Sequence, residues 1–199
     1  TRIQGRISYS RTETALTVGL ENVTNYTHFA MDNTLLGTDS TSTNPNDYSR
    51  NVCVRQYGKN VQVFSAMLEQ NFKLGPVHWD NEVTYQKSSN QRVLPLPQLN
   101  VYTNLYLLFR VAKVLRVQLG GDMRYYTSYY APDYSPSIGQ FATQDESFSR
   151  IKIGNYPIIN VYANLHLKNC RIYVGVNHVN AGSGHAFWAP HYAINPLTF

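Results

Sequence analysis

The chain has 199 residues and a net charge of +5, with 43% hydrophobic residues and only 15% charged ones, against roughly 25% charged in ordinary soluble domains. Its Lys and Arg stand singly along the chain rather than in runs, which argues against a nucleic-acid surface. No window approaches the roughly 20 apolar residues of a membrane-spanning helix, so a helical membrane protein is excluded.

In chain order, the opening TRIQGRISYS alternates Ile3, Gly5, Ile7 and Tyr9 with Gln4, Arg6, Ser8 and Ser10. After a turn near residue 11, Leu16, Val18 and Leu20 alternate with Ala15, Thr17, Gly19 and Glu21. Side chains on a strand point to opposite faces in turn, so each segment reads as a strand with one greasy and one polar face. From about Tyr26 the pattern dissolves into Thr, Ser, Asn, Asp and Pro, which reads as a long loop over 26–57. Calling 51–58 a separate strand breaks the loop alternation set out below, so that stretch is assigned to the loop or to a strand extension.

The next strand carries Phe64, Ala66 and Leu68, turns near residue 74, and returns with Val77, Trp79, Val83 and Tyr85. A second long loop, 88–97, follows. Val101, Leu105, Leu107 and Phe109 then oppose Tyr102, Asn104, Tyr106 and Arg110; past a turn near 112, Val117, Leu119, Met123 and Tyr125 oppose Gln118, Asp122, Arg124 and Tyr126. After a loop at 129–154, Ile159, Val161, Ala163, Leu165 and Leu167 alternate with Asn160, Tyr162, Asn164 and His166. A tight turn near 169 leads to Ile172, Val174 and Val176 against Arg171, Tyr173 and Gly175. A loop at 179–192 precedes Ala193–Phe199, which looks like the start of a further strand. This gives about eight complete strands, a truncated ninth, and almost no helix.

Two regularities organise these strands. LPQLNVYTNLYL (Leu96–Leu107) and YPIINVYANLHL (Tyr156–Leu167) share Pro, Asn–Val–Tyr, Asn–Leu and a final Leu. Each is followed by a tight turn, a strand beginning with Arg (Arg116, Arg171) and an Ala–Pro–x–Tyr loop (Ala131–Tyr134, Ala189–Tyr192). The repeating unit is strand, short turn, strand, long loop, which suits an up-and-down sheet. The connections also alternate strictly between short and long, so all short turns fall at one end and all long loops at the other. Outer-membrane barrels sort their loops in this way. Their strands also need roughly 9–11 residues to cross when tilted.

The polar face holds Tyr and Asn with few Lys or Glu, unlike a solvated surface. The apolar face is nearly free of charge along whole strands and has aromatic residues near its ends. This predicts an all-β, transmembrane, antiparallel up-and-down β-barrel of porin type, one segment over 1–199. Its loops at 26–57, 88–97, 129–154 and 179–192 would be extracellular and its turns periplasmic. Arg6, Glu82, Tyr102, Asn104, Asp122, Arg124, Tyr162, Asn164, His166 and Arg171 are expected to face the lumen. Leu105, Leu107, Val117, Leu119, Val161, Leu165, Ile172 and Val174 are expected to face lipid. The charged residues of the lumen, Arg110 and Arg116 included, either set charge selectivity or pair with one another.

QNFKLGPVHWDNEVTYQKSS, LPLPQLNVYTNLYL, DMRYYTSYYAPDYSPSIGQF and the stretch from IGNYPIINVYANLHL to HYAINP resemble the C-terminal half of β-barrel porins of Bacteroidetes outer membranes. The resemblance covers Gln70 to Phe199; Thr1–Lys59 fits the architecture without a shared phrase. Members of that family are longer and end in a strand with a terminal aromatic residue. The resemblance therefore implies a piece of a larger barrel in a bacterial outer membrane, and the start at Thr1 without Met fits a processed or cut N-terminus.

Chemistry beyond a wall finds little support. His178, His185 and His191 fall within fourteen residues and His78 lies two from Asp80, but no zinc-type spacing accompanies them and they read as loop histidines. Ala181–Gly184 lacks the GxxxxGK(S/T) pattern of a phosphate-binding loop, with its Lys and following helix, and reads as a flexible loop. Ser8, Ser65 or Ser183 has no local signature of a catalytic triad. Asn22–Thr24 and Asn25–Thr27 match the glycosylation pattern, which is short enough to arise by chance. Cys53 and Cys170 are distant in sequence; a disulfide between them needs an oxidising compartment, and two unpaired small hydrophobes are favoured. The expectation is thus no enzyme, no cofactor and no metal. Function is read as passive diffusion of small polar solutes, with membrane lipid and other outer-membrane subunits as neighbours and no nucleic acid. The alternatives are a non-conducting docking barrel and, third, an outer-membrane enzyme.

Overall fold

The computed structural model describes residues 1–32, 52–136, 138–145, 150–184 and 187–199. The strands are β1 (Arg2–Tyr9), β2 (Thr14–Val23), β3 (Tyr26–Met31), β4 (Val52–Tyr57), β5 (Val61–Leu74), β6 (Val77–Ser88), β7 (Leu99–Val111), β8 (Leu115–Tyr126), β9 (Asp133–Ser135), β10 (Gln140–Ala142), β11 (Ile158–Leu167), β12 (Cys170–Val176), β13 (Phe187–Ala189) and β14 (Tyr192–Ala193). Among the described residues the only helix is a single 3₁₀ turn, Ala181–Ser183.

Eight strands form one sheet in the order β1-β2-β5-β6-β7-β8-β11-β12, every pairing antiparallel. It is open: β1 and β12 are its edges, among the described residues. The eight long strands expected from the alternation are these eight. The short connections place a left-handed residue at each turn, Glu13 (φ 49°), Gly75 (φ 57°), Lys113 (φ 59°) and Lys168 (φ 47°). Positive φ at such turns matches the right-handed twist of the flanking strands.

The stretch 51–58 needs correction. Val52–Tyr57 is a strand that pairs antiparallel with Tyr26–Met31, from Tyr26↔Tyr57 to Met31↔Val52. This hairpin forms its own two-stranded sheet, so it leaves the strand order of the wall untouched. Its sequence, VCVRQY, alternates too weakly to separate it from a loop. The middle of that loop lies outside the described residues. At the chain's other end, Asn177 and Thr198 bridge antiparallel, so the last residues run beside the end of β12. Cys53 and Cys170 are both free.

The register is staggered. Tyr9, Thr14, Gln70, Asn81, Thr103, Met123 and Ile159 stand in one row across the sheet. In β1–β2 the turn follows this row at once; in β5–β6 it comes four residues later (Gln70 to Leu74), and in β7–β8 eight later (Thr103 to Val111). Such a shear is what tilted strands produce.

Burial is concentrated at the loop end, not along the wall. Val61, Ala131, Ala142, Ile153 and Ala189 are at most 3% exposed. On the sheet, by contrast, Ile3, Ile7, Leu20, Leu105, Ile172 and Val174 are all more than half exposed.

Candidate functional site

The antiparallel register brings the polar positions of the eight strands onto one face. All ten residues read as lumen-facing share it: Arg6 is level with Thr17 and Met67, and Glu82, Tyr102 and Arg124 are level with each other. Asn104, Asp122 and Asn160 form the next row, then Tyr106, Gly120 and Tyr162, then Gln118, Asn164 and Tyr173. The row nearest the turns is Arg110, Arg116, His166 and Arg171. The eight residues read as lipid-facing lie on the opposite face, with Leu105, Val161 and Val176 in one row and Leu107, Leu119, Ala163 and Val174 in another.

Charge is segregated on the polar face. At the β1–β6 side a depression of about 490 Å³ is lined by Glu13, Glu69, Asp80 and Glu82 together with Arg6. Glu69 and Glu82 oppose each other directly, a like-charge pairing that costs stability. Arg6 offsets it by donating from Nη2 to Glu69 Oε2 at 2.6 Å. Towards the turns of β8–β12 a second depression, about 440 Å³, is lined by Arg116, His166 and Arg171 with Gln118, Asn164 and Tyr106.

Between the two regions the face is aromatic and amide-rich. The Arg124 guanidinium sits 5.6 Å over the Tyr102 ring, and His78 stacks on Tyr106 at 4.8 Å. The Tyr162 hydroxyl donates to Asn104 Oδ1 at 3.0 Å and accepts from Gln118 Nε2 at 3.4 Å. Asn164 Nδ2 donates to Gln118 Oε1 at 3.3 Å, and Arg171 Nε donates to Asn164 Oδ1 at 2.9 Å. Gly120 makes this possible: a Cβ there would stand 2.6 Å from Tyr106 Cβ and 2.9 Å from the Tyr162 hydroxyl. The alternation of the strands marks these residues as polar-facing but says nothing of the relay, which depends on which strands become neighbours.

The apolar face contains one feature that its hydrophobic pattern conceals. Gln70, Asn81 and Thr103 fall in a single row on it. Thr14 Oγ1 donates to Gln70 Oε1 at 2.5 Å, Asn81 Nδ2 to the Gln70 carbonyl at 3.3 Å, and Thr103 Oγ1 to Asn81 Oδ1 at 2.7 Å. Trp79 Nε1 donates to Thr103 Oγ1 at 2.7 Å. The polar groups satisfy one another within the face, as buried or lipid-facing polar groups must.

At the loop end the two Ala–Pro–x–Tyr phrases dock on each other. His191 Nδ1 lies 2.8 Å from Asp133 Oδ2, and the Tyr134 and Tyr192 rings meet edge-on at 5.6 Å. Asp133 is 3% exposed; burial pushes its carboxyl above the usual value, against the opposing pull of His191. His178, also buried, has Nε2 2.9 Å from the Tyr156 hydroxyl and Nδ1 2.8 Å from the Asn195 carbonyl oxygen. These two histidines have separate partners, and His185 lies outside the described residues. Among the described residues no group of three His, Cys, Asp or Glu is placed to hold a metal. Ser183 Oγ donates to the Asn180 carbonyl, and Ser8 lines the acidic depression.

The sheet is thus an open antiparallel meander with one polar, charge-divided face and one exposed apolar face. The sequence model of the putative porin family matches residues 1–199, the whole chain. The chain belongs to that family. No curated protein and no solved structure matches it. Family membership points to a channel-type protein rather than an enzyme and implies an outer-membrane location.

Proposed function

We propose that this chain forms part of the wall of an outer-membrane channel that passes small polar solutes by passive diffusion. The observation that carries the reading is the apolar face: across all eight strands of the sheet it presents large hydrophobic side chains that are exposed among the described residues. An exposed apolar surface of this extent requires a non-aqueous neighbour. Lipid on one side leaves a water-filled lumen on the other, where the charged and amide-rich face selects by size and charge.

The aromatic residues support this. Phe64 and Tyr85 pair at 6.3 Å towards the loops, and Phe72 and Trp79 at 5.5 Å towards the turns. Eight residues of β5 separate Phe64 from Phe72, about 27 Å along a strand. Tilted by roughly 40°, that becomes about 20 Å, near the ~25 Å apolar band of outer-membrane barrels. In this reading the short turns lie in the periplasm and the long loops outside. Further strands pair with the β1 and β12 edges to close the barrel, since an open edge does not survive in lipid.

Planar-bilayer recording of the full-length protein tests the reading. Stable open conductance is expected, and a correctly inserted barrel that stays silent would overturn it.

A further inference from the structure

We propose that Arg116, His166 and Arg171, at the turn end of the polar face, form a binding subsite for the phosphate group of an anionic solute. The inference rests on the reading of that face as a wetted lumen and adds the class of ligand.

The first ground is an uncompensated row of charge. Arg110, Arg116, His166 and Arg171 oppose one another in register on β7, β8, β11 and β12. Arg110 and Arg116 are like charges standing directly opposite, an arrangement that is destabilising. Elsewhere the chain pairs such groups: Arg6 with Glu69, Arg55 with Asp32, His191 with Asp133. Here it does not. Residues 105–119 and 161–177 contain no Asp or Glu, and among the described residues none of the three arginines has an ion-pair partner. A row held against its own repulsion is the kind of local cost that accompanies a ligand site.

The second ground is that one member is pre-set. Arg171 is fixed through Nε by Asn164 at 2.9 Å, and Asn164 is held in turn by Gln118 at 3.3 Å. Gln118 reaches the Tyr162 hydroxyl, which is anchored to Asn104. The relay consumes Nε and leaves both terminal nitrogens of the fork without an acceptor among the described residues. A guanidinium oriented this way, beside a depression of about 440 Å³ that it shares with Arg116 and His166, suits bidentate capture of an oxyanion.

The third ground selects the oxyanion. A lone carboxylate offers two oxygens and one charge, fewer than two guanidinium forks and an imidazole can engage. A phosphate group carries roughly −1.5 to −2 at neutral pH with three acceptor oxygens. It can therefore contact Arg116, His166 and Arg171 together. Free phosphate and a phosphate ester present this same group.

Calorimetric titration of the full-length protein in detergent micelles, at constant ionic strength, is the test. Inorganic phosphate is expected to bind saturably, glucose 6-phosphate at least as well, and acetate much more weakly. Arg171→Gln should weaken phosphate binding about tenfold, the worth of one charge-assisted contact, and Arg116→Gln with Arg171→Gln should abolish it. Arg2→Gln, which removes one charge from the far edge strand, should leave it intact. Asn164→Ala, which keeps every charge but frees Arg171, should weaken it to a smaller extent. Binding unchanged in the double variant, equal loss in Arg2→Gln, or acetate binding as tightly as phosphate would each overturn the proposal. A barrel that binds phosphate but conducts nothing would defeat the channel and leave this subsite standing. An open channel with no saturable phosphate binding would do the reverse.

Discussion

The two copies of the repeated unit, Leu96–Tyr134 and Tyr156–Tyr192, share a phrase and differ in chemistry. Asn100–Val101–Tyr102 and Asn160–Val161–Tyr162 hold equivalent places on β7 and β11, and Leu105 and Leu165 lie on the same apolar face. Yet Tyr102 lies under the Arg124 guanidinium, while Tyr162, level with Gly120 and Gly175, extends its hydroxyl to Asn104. Where the first copy has Thr103, joined to Asn81 and Trp79, the second has Ala163 among Leu119 and Val174. Where the first loop has Asp133, the second has His191, and the two bond to each other. The shared positions build strand and turn; the unshared ones decide what each unit touches. A duplicated hairpin can thus keep its fold while its variable sites specialise.

The strongest challenge to the equivalence is charge on the apolar face. Leu105→Lys, six residues from the turn end of β7, should cost about 2–4 kcal/mol near mid-bilayer, and Leu165→Lys, two residues from the turn end of β11, less, measured by urea unfolding in lipid. Equal losses would show that the repeat and not the distance from the turn sets the depth of this Leu, and unchanged stability in both would invert the two faces. Gly120→Ala should cost about 1–3 kcal/mol by overpacking, because its Cβ would collide with Tyr106 and the Tyr162 hydroxyl. Gly5→Ala, with open space around its Cβ, should be close to neutral in the same assay.

Thr103→Val keeps the side-chain shape but removes an acceptor from Trp79 and a donor to Asn81. A loss of about 1–2 kcal/mol is expected from the unpaired groups. Ala163→Thr in the same chain should not restore it, since no amide stands beside Ala163. If it does, the row of polar groups is not what Thr103 serves.

The smallest effect concerns the docked loops. Burial raises the Asp133 carboxyl above its ordinary value of 3.8, so the folded loop holds this proton more tightly than the unfolded one. The docking is therefore most favourable below that value and weakens as pH rises through the raised one. Hydrogen exchange at the Tyr134 amide, which donates to Asp133 Oδ1 at 2.9 Å, should lose protection over that window after correction for intrinsic rates. Asp133→Asn should flatten the dependence.

Much of the wall was legible in the sequence because side-chain alternation is a local, two-residue property. Ile159 to Leu167 and Ile172 to Val176 reveal their faces without any neighbour, and the spacing of turns and loops sorts the two ends. The hairpin of Tyr26–Met31 with Val52–Tyr57 was not legible, because VCVRQY has no clean alternation and its partner lies across a long loop. The row of Gln70, Asn81 and Thr103 is hidden in the sequence for a related reason. Each is a polar interruption on an otherwise apolar strand, and only adjacency of β5, β6 and β7 turns three interruptions into one hydrogen-bonded row.

Strand, face and repeat follow from residues close together in the chain, and these the sequence determined by itself. The segregation of acidic and basic regions, the relay that aims Arg171, and the meeting of Asp133 with His191 depend on register and loop docking. Those join residues far apart in the chain, as Asn104 and Tyr162 are, and the contacts that select them exist only once the strands stand side by side.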